Sequence, residues 1–333
     1  MKEKIGITTT VPVEAIIAAG YVPVDLNNIF VTSGDCQGYI EAAERDGFPK
    51  SMCAWIKGLY GACMIKGIRK IVGVVQGDCS NTASLTQVLR LRGIEVVPFS
   101  YPHCRGVENV KNEIDSFMKL LKVDIKEVEA ARSGLQGIRK KARRLDELTW
   151  KVSKASGFEN HLYQVSMSDF NSDPEGFEAE LDSRLCEIEA RKTDEPMLRL
   201  GYIGVPPMMA DLYEFTEHHG ARIVYNEVQR EFAFPRSGAA RNIYEQYSDY
   251  TYPYDIDFRL QEIKKQIEER KLDGLVHYTQ AFCHRALDDI IIKSKIEIPI
   301  INIEGDKSDR LDARTMLRLE AFLDMLGDRK GAL

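Results

Sequence analysis

Residues 71–85 read IVGVVQGDCSNTASL, and residues 274–290 read GLVHYTQAFCHRALDDI. Each stretch begins with the β-branched and apolar residues of a buried strand, and each then passes through a cysteine into a helical pattern. Strands that alternate with helices in this way indicate parallel sheets covered by helices. Because ligand sites of such sheets lie beyond the carboxyl ends of the strands, Cys79 and Cys283 are candidate site residues.

The same strand pattern occurs in two groups of four segments: 4–8, 22–26, 70–76 and 95–100, then 198–203, 222–226, 274–278 and 299–303. The stretch between the groups, 110–192, is rich in Lys, Glu, Arg and Leu, which predicts linking helices. We therefore expect an α/β fold with two Rossmann- or flavodoxin-like domains, each built on a parallel sheet. The expected division is an N-terminal domain 1–110, a helical linking segment 111–195 and a C-terminal domain 196–333.

The two groups follow one plan at their beginnings. In each, a strand runs into a Val-Pro pair, a helix, a glycine and a second strand. Gly20 and Gly220 occupy the position of the glycine that ends a helix. This repetition predicts two related domains whose strand ends form a cleft.

The composition excludes several classes of function. The net charge of −6 and the pI of about 5.7 argue against nucleic-acid binding, which needs a concentrated basic surface. The basic run RKKARR, residues 139–144, is interpreted as the solvated face of a helix. No signal peptide and no apolar run of membrane-spanning length is evident, so we expect a cytoplasmic protein with no membrane partner.

The seven cysteines include no CxxC pair, and an odd number does not suggest a disulfide framework. Cys79 and Cys283 precede predicted helices, where backbone N–H groups and the helix dipole stabilise a thiolate. Cys53 opens a third helix, in FPKSMCAWIKGLYGACM. From these residues alone two interpretations stay open: the three thiols hold corners of an iron-sulfur cubane, or they are buried small apolar side chains.

At these residues the chain resembles a known family, the D-component family of 2-hydroxyacyl-CoA dehydratases, which includes subunits of 2-hydroxyglutaryl-CoA dehydratase and benzoyl-CoA reductase. The matching blocks cover nearly the whole chain in order: GITTTVPVEAIIAAGYVPVDL at 6–26, FPKSMCAWIKGLYG at 48–61, VVQGDCSNT at 74–82, LDGLVHYTQAFCHRA at 272–286, IPIINIEGD at 298–306 and ARTMLRLEAFLDML at 313–326. Residues 8–35 are similar to the branch of the family that carries a double-cubane cluster.

The resemblance implies a [4Fe-4S] cluster bound by Cys53, Cys79 and Cys283 in the cleft between the domains, with the fourth iron open. It implies a subunit of an oxygen-sensitive dehydratase or reductase that works as a homodimer or with a related second subunit. A separate ATP-hydrolysing activator of the BadF/BadG type would supply low-potential electrons, since the chain contains no GxxxxGK[ST] loop. In the double-cubane branch a sulfide joins two cubanes, here across a dimer, into an [8Fe-9S] cluster that reduces small molecules.

Other residues are weaker candidates. Ser80, His284 and Glu304 are the candidate catalytic residues, and each also has an ordinary interpretation as a cap, surface or loop residue. The same applies to three more polar residues in these blocks and to the four remaining cysteines: Asn81, His277, Asp306, Cys36, Cys63, Cys104 and Cys186. Cys36, in a predicted loop, is the best alternative as a fourth ligand, followed by Cys104. His218 and His219 are interpreted as a polar helix end, and Arg314 and Glu320 as residues that hold the last helix.

Three functions remain possible from the sequence. The first is an enzyme whose open iron binds the substrate, and the second is an iron-sulfur subunit that only transfers electrons. The third is a protein without a cofactor that binds a small molecule, which requires the cysteines to be idle.

Overall fold

The computed structural model describes residues 2–331. These residues contain eight β-strands, all close to the predicted segments: β1 Lys4–Ile7, β2 Val22–Asp25, β3 Lys70–Gln76, β4 Glu95–Ser100, β5 Leu198–Gly204, β6 Ala221–Asn226, β7 Gly274–Gln280 and β8 Ile300–Gly305.

Fifteen α-helices lie in the same part of the chain: α1 Val13–Ala18, α2 Leu26–Val31, α3 Cys36–Arg45, α4 Ala54–Ile65, α5 Ser80–Leu91, α6 Val107–Leu121, α7 Ile125–Trp150, α8 Gly157–Val165, α9 Pro174–Ala190, α10 Asp211–His218, α11 Glu227–Phe232, α12 Ile243–Ser248, α13 Ile256–Arg270, α14 Asp288–Lys295 and α15 Ala313–Gly331. The described residues also contain three short 3₁₀ turns: Ser166–Ser168, Phe170–Ser172 and His284–Leu287. As expected, 110–192 forms helices and turns.

The strands form two parallel four-stranded sheets with the same topology. The first has the order β2-β1-β3-β4 and the second has the order β6-β5-β7-β8. This is the strand order of a doubly wound, flavodoxin-like sheet, in which the chain changes direction across the sheet between its first and third strands. The predicted fold class is confirmed.

The chain divides into two compact units. Unit 1 comprises residues 1–140, 166–179 and 234–255, and unit 2 comprises 141–165, 180–233 and 256–333. Each unit contains one of the sheets. The predicted bounds follow the chain in three consecutive pieces, whereas these units alternate along it, and the predicted linking segment 111–195 contributes to both.

The sheet of unit 2 is covered by apolar layers on both faces. One layer includes Leu200, Tyr202 and Val276 of the sheet with Leu319 and Leu323 of α15. The other contains Ile203 and Leu275 of the sheet with residues of α13 and α14. Because both faces are covered, β7 is buried at every position, which explains why its sequence GLVHYTQ does not alternate between apolar and polar residues.

The predicted helix ends are confirmed. Gly20 follows α1 with φ of +81°, and Gly220 follows α10 with φ of +73°. Only glycine adopts such left-handed angles without a steric penalty, so the two units share this turn because they share this residue. His218 ends α10 and His219 caps it, as expected. In α15, Glu320 pairs with His219 at 3.5 Å, Arg314 is exposed, and Arg318 donates to the carbonyl of Asn302 at 2.7 Å.

One prediction about the basic run was wrong. Arg139 is completely buried rather than solvated, and its Nη2 donates to Glu14 Oε1 at 2.6 Å. Its guanidinium also lies over the Phe234 ring, 5.1 Å from the centroid. Further along the run, Lys141 and Arg144 do form surface ion pairs, with Asp182 and Glu189.

Among the helices of residues 2–331, none combines the length and apolar character that a membrane crossing requires.

Candidate metal centre

Cys79 lies at the switch point of the first sheet. It follows β3, the strand that pairs with both β1 and β4, and it is the residue that caps α5. Its Sγ accepts a hydrogen bond from the backbone N–H of Asn81 at 3.3 Å. A sulfur at this position faces the unpaired amides of the first helical turn, which favour negative charge.

The turn that carries Cys79 is held by close packing. Gly77 has φ of +83°, and a Cβ there would lie 2.5 Å from Cβ of Tyr101. Gln76 Nε2 donates to the carbonyl of Tyr101 at 2.8 Å, and the Tyr101 hydroxyl donates to the carbonyl of Thr10 at 2.9 Å. These bonds connect the ends of β1, β3 and β4 and so restrict the position of the turn.

Cys53 also lies in unit 1 and caps α4. It is buried, with 7% of its surface exposed. One turn later Lys57 is fully buried, and its Nζ donates to Glu44 Oε1 at 2.8 Å and to the carbonyl of Lys50 at 3.3 Å. This contact fixes the loop before Cys53 against the helix that follows it.

Two glycines let α4 pack tightly. A Cβ on Gly58 would lie 2.5 Å from the Phe30 ring, and a Cβ on Gly61 would lie 2.2 Å from the carbonyl oxygen of Tyr39. Both positions therefore exclude any side chain, and α4 lies directly on α2 and α3. The sequence motif KGLYG thus places the start of α4, and Cys53 with it.

Cys283 repeats in unit 2 the placement of Cys79. It follows β7, which pairs with β5 and β8, and it caps the 3₁₀ turn His284–Leu287. Its backbone N–H donates to the carbonyl of Gln280 at 3.0 Å. Phe282, just before it, is exposed and has φ of +63°, an angle that costs energy in a residue with a side chain.

A buried charged network lies beside Cys283. Glu227, directly after β6, receives two hydrogen bonds from Arg259, at 2.8 and 3.0 Å, and one from the backbone N–H of Gly204 at 2.9 Å. Arg259 also donates to Asp288 at 2.8 Å. Burial alone would raise the pKa of Glu227, but Arg259 and the Gly204 N–H hold it below its usual value.

His277 of β7 lies close to this network, within the influence of the charges of Arg259 and Glu227. It pairs with Asp289 at 2.8 Å. Burial lowers its pKa, although the Asp289 carboxylate opposes the shift. A small recess, with a volume of about 10 Å³, is lined by His277, Arg259 and Cys283, among others. That volume is near the minimum for one water molecule.

The three candidate catalytic residues are all exposed: Ser80, His284 and Glu304. Cys79 itself caps α5, so the predicted cap roles of Ser80 and Asn81 are not observed. Glu304 lies within β8 rather than after it, opposite Thr279. The carbonyl of Asp306 accepts a hydrogen bond from the Gln280 side chain at 2.7 Å. The last helix, α15, begins after Asp312, and the side chain of Asp312 accepts a hydrogen bond from the Thr315 N–H at 2.6 Å.

The other cysteines occupy positions of ordinary structural residues. Cys63 is buried in α4, and burial raises its pKa to about 11. Cys36 was predicted in a loop, but it is the buried first residue of α3 and its Sγ donates to the carbonyl of Phe30 at 3.2 Å. Cys104 and Cys186 are exposed.

The grouping of the three predicted ligands stays a prediction. Cys53 and Cys79 belong to unit 1, and Cys283 belongs to unit 2. Within residues 2–331, no three Cys, His, Asp or Glu side chains lie close enough together to hold one metal ion. A cubane has a different requirement, because its thiolates bind different irons. The position of each cysteine at the start of a helix or 3₁₀ turn fits a thiolate ligand.

The family model described as 2-hydroxyglutaryl-CoA dehydratase, D-component, matches residues 8–326. The chain belongs to this D-component family. None of the curated proteins matches it. As a family member, the chain is a component of a dehydratase-type enzyme, and the predicted resemblance is confirmed.

Several residues that position the candidate ligands of this D-component chain were not predicted from its sequence. Glu227, Arg259 and Asp288 were not considered, nor was Lys57. A signal was available for Glu227, because a carboxylate directly after the buried strand ARIVYN falls at a site-bearing edge of the sheet. Lys57 and Arg259 gave no such signal, since a cation in a helix is usually solvated.

Unit 2 also has a larger groove, of about 1000 Å³, beside α10. Its lining includes Glu195, Met197, Glu214 and Arg222 but none of the three predicted ligands. Volume alone would point to this groove as the site. The two cysteines, one after the third strand of each sheet, favour the strand ends instead. At each of these ends a thiol lies next to the backbone N–H groups that begin a helix or 3₁₀ turn.

Proposed function

We propose that this D-component chain is the iron-sulfur subunit of a 2-hydroxyacyl-CoA dehydratase-like enzyme, with Cys53, Cys79 and Cys283 as ligands of a [4Fe-4S] cluster. One observation carries the proposal. Cys79 and Cys283 occupy the same position in two sheets of identical topology: each follows the third strand at the switch point and caps the helix or 3₁₀ turn beyond it.

The local chemistry supports thiolate ligation. A helix cap places sulfur next to backbone N–H groups, and Cys79 Sγ already accepts one from Asn81. Such bonds stabilise a thiolate and raise the potential of a cluster that it binds. When bound, the cluster would supply one-electron reduction and one iron that is open to substrate.

The chain's own residues have positioning roles in this proposal. Glu227 and Arg259 hold the end of β5 against the segment 283–288 through the Gly204 N–H and Asp288. Gly77 and Tyr101 hold the turn before Cys79. We propose that an ATP-hydrolysing activator supplies the electrons, because the chain has no P-loop sequence of its own.

We also propose that the working unit is a homodimer or a pair with a related subunit. Four large apolar side chains are exposed between positions 282 and 291, and we call them the Phe282 patch: Phe282, Leu287, Ile290 and Ile291. Leu287, Ile290 and Ile291 have the spacing of one helix face. Several exposed large apolar residues in one short segment are typical of protein interfaces.

A second candidate is the double-cubane reductase, in which a sulfide joins two cubanes across the dimer. It is favoured by the similarity of residues 8–35 to that branch. The two candidates differ in sulfide content: a bridged pair has about nine sulfides for about eight irons, and separate cubanes have equal numbers.

The ligand set is tested by iron content. Cys53→Ser, Cys79→Ser and Cys283→Ser, purified without oxygen, are each expected to lose most of the iron, because a cubane is destabilised when any of its thiolates is removed. Cys186→Ser, at an exposed position, and Cys63→Ser, inside α4, are the controls and retain it. Full iron in two of the first three variants would falsify the ligand set.

Electron paramagnetic resonance separates an enzyme from an electron-transfer subunit. If the cluster has an open iron, addition of a 2-hydroxyacyl-CoA changes the spectrum of the reduced protein. A spectrum that is the same with every such compound, in protein with full iron content, would favour the electron-transfer subunit.

A further inference from the structure

Two carboxyl groups are buried near each other in the interior of unit 1. Asp25 and Asp169 are 3% and 4% exposed. Asp25 ends β2 and caps α2, and Asp169 lies between the 3₁₀ turns Ser166–Ser168 and Phe170–Ser172. Asp169 Oδ2 accepts the backbone N–H of Asp25 at 2.7 Å. This contact joins two parts of the chain that are 144 positions apart.

The groups that hydrogen-bond this pair are neutral. Asn27 donates its backbone N–H to Asp25 Oδ1 at 2.8 Å, and Ser168 bonds to the Asp25 side chain. Asn171 donates its backbone N–H to Asp169 Oδ1 at 3.0 Å, and Asn28 also bonds to Asp169. The titratable groups among these contacts, which come from β2, α2 and the 3₁₀ turns, are the two carboxyls themselves.

Two buried carboxylates without a cation between them repel each other, and burial disfavours the charge on each. Burial, and then the charge of Asp25, raise the pKa of Asp169 to about 7. Burial also raises the pKa of Asp25. Because the charge of one group affects the other, the two carboxyls take up and release protons as a coupled pair.

Asn27 connects the pair to the predicted ligand region. Its Nδ2 donates to Asp25 Oδ1 at 2.7 Å and to the carbonyl of Thr8, at the end of β1, at 3.0 Å. Its Oδ1 accepts from Trp55 Nε1 at 2.6 Å. Trp55 lies in the first turn of α4, two residues after Cys53. A single side chain thus links the carboxyl pair to both β1 and α4.

The backbone beside Asp169 is strained. Phe170, Asn171 and Ser172 have φ of 54°, 51° and 63°, which is a left-handed turn of three residues that are not glycine. Ser172 Oγ donates to the carbonyl of Pro23 at 3.0 Å and so attaches this turn to β2. Strained backbone persists only where its surroundings hold it, and here Asp169 is one of the groups that do so.

We infer that Asp25 and Asp169 hold one proton between them in the folded chain and act as positioning residues for the end of β1 and the start of α4. When the proton is released to water, the two carboxylates repel each other. Asn27, which is bonded to one of them, shifts with it, and the indole of Trp55 follows. The same movement would shift Cys53 at the start of α4, and the importance of that shift for a cluster rests on the proposed function. The shared proton and the movement of Trp55 do not depend on that function.

The direction of the pH effect follows from the raised pKa. Below about pH 4, the ordinary range of an aspartic acid, both folded and unfolded chains are protonated at this pair. As the pH rises, the unfolded chain ionises first, so the stabilising contribution decreases and is lost as the pH passes about 7, the pKa of Asp169. The start of α4 is therefore better held at pH 6 than at pH 8.

The test follows Trp55 directly. The chain has two tryptophans, so in a Trp150→Phe background the emission reports Trp55 alone. We expect the emission of the full chain, purified without oxygen, to change between pH 6 and pH 8. Asp25→Asn removes the second acid and keeps the Oδ1 acceptor for both bonds from Asn27, so its emission is expected to be constant over this range.

Asp35→Asn is the matched control, because Asp35 also caps a helix of unit 1 but is exposed. It is expected to behave like its parent. A transition that persists in Asp25→Asn overturns the inference. Infrared spectroscopy of the unsubstituted chain needs no variant: a band of a protonated carboxyl group is expected at pH 6 and lost by pH 8, and its absence at pH 6 also overturns it. Neither readout requires bound iron, so a failure here is distinct from a failure of the ligand set.

Discussion

At the scale of single residues, Arg139 shows how a buried charge is tolerated. Its guanidinium is surrounded by Glu14, Gln246 and the Phe234 ring. Burial alone would raise the pKa of Glu14, but Arg139 and the hydrogen bonds hold it below its usual value. The pair therefore stabilises the fold above the ordinary pKa of a glutamic acid, about 4.3, and this contribution is lost as the pH falls through the lower, folded value.

We expect Arg139→Met to lower the free energy of unfolding by about 3–5 kcal/mol at pH 7, because it leaves the Glu14 carboxylate buried without a cation. The loss should be smaller at pH 5, where Glu14 without Arg139 is protonated. Urea unfolding at both pH values measures it.

Arg144→Met is the control in the same helix. Arg144 and its partner Glu189 are each 45% exposed, and such surface pairs contribute less than about 1 kcal/mol. If the two variants are equally stable, the buried pair has no special role. The double variant Glu14→Gln with Arg139→Met should recover part of the loss, because no charge is then left without a partner.

At the scale of elements, the two ends of α5 provide a matched pair of glycines. Gly77 precedes the helix and Gly93 follows it, with φ of +83° and +79°. Gly77 packs against Tyr101, whereas a Cβ at Gly93 would meet nothing within 4 Å. The two positions share the backbone angle and differ in the available space.

We expect Gly93→Ala to cost about 1–2 kcal/mol, from the left-handed angle alone. Gly77→Ala should cost roughly 2–5 kcal/mol, since overpacking adds about 1–3 kcal/mol to the same angle penalty. It should also lower the iron content, because the turn that moves carries Cys79. Thermal unfolding and iron analysis measure both effects, and equal behaviour of the two variants would contradict the role of the Tyr101 contact.

The elements of this fold could be predicted from sequence, because their causes are local. Short segments of apolar and β-branched residues indicate the strands, and Gly20 and Gly220 indicate two helix ends. Burial and pairing could not be predicted, because they depend on distant segments: Glu14 is 125 positions from Arg139 in the chain. The residues of the candidate site also differ in how far the sequence predicts them. Cys79 and Cys283 were predicted because each follows the end of a predicted strand, whereas the exposure of Ser80, His284 and Glu304 became clear only from the structure.

At the scale of the whole molecule, the Phe282 patch makes the dimer testable. We expect the anaerobic protein to be a dimer and Ile290→Asp to be a monomer, because a charge in the patch would have to be desolvated on association. Ile290 is 69% exposed, and Leu317→Asp, at a position 67% exposed on α15, is the matched control. Size-exclusion chromatography with light scattering measures the mass.

Either of two results would contradict a dimer that forms through the Phe282 patch. A monomeric parent protein removes the dimer, and a dimer that survives Ile290→Asp moves the contact away from the Phe282 patch. Sulfide analysis of the same fractions then distinguishes a bridged pair of cubanes from separate ones.

The alternation of the two units along the chain has a consequence for its synthesis. Unit 1 includes residues 234–255, so about three quarters of the chain must leave the ribosome before this unit is complete. The first sheet can assemble early, yet Gln246 and Tyr247, which hydrogen-bond Glu14, arrive late. A nascent chain halted before residue 234 therefore exposes an incomplete surface around Glu14 and Arg139, and this surface is where a chaperone would be expected to bind.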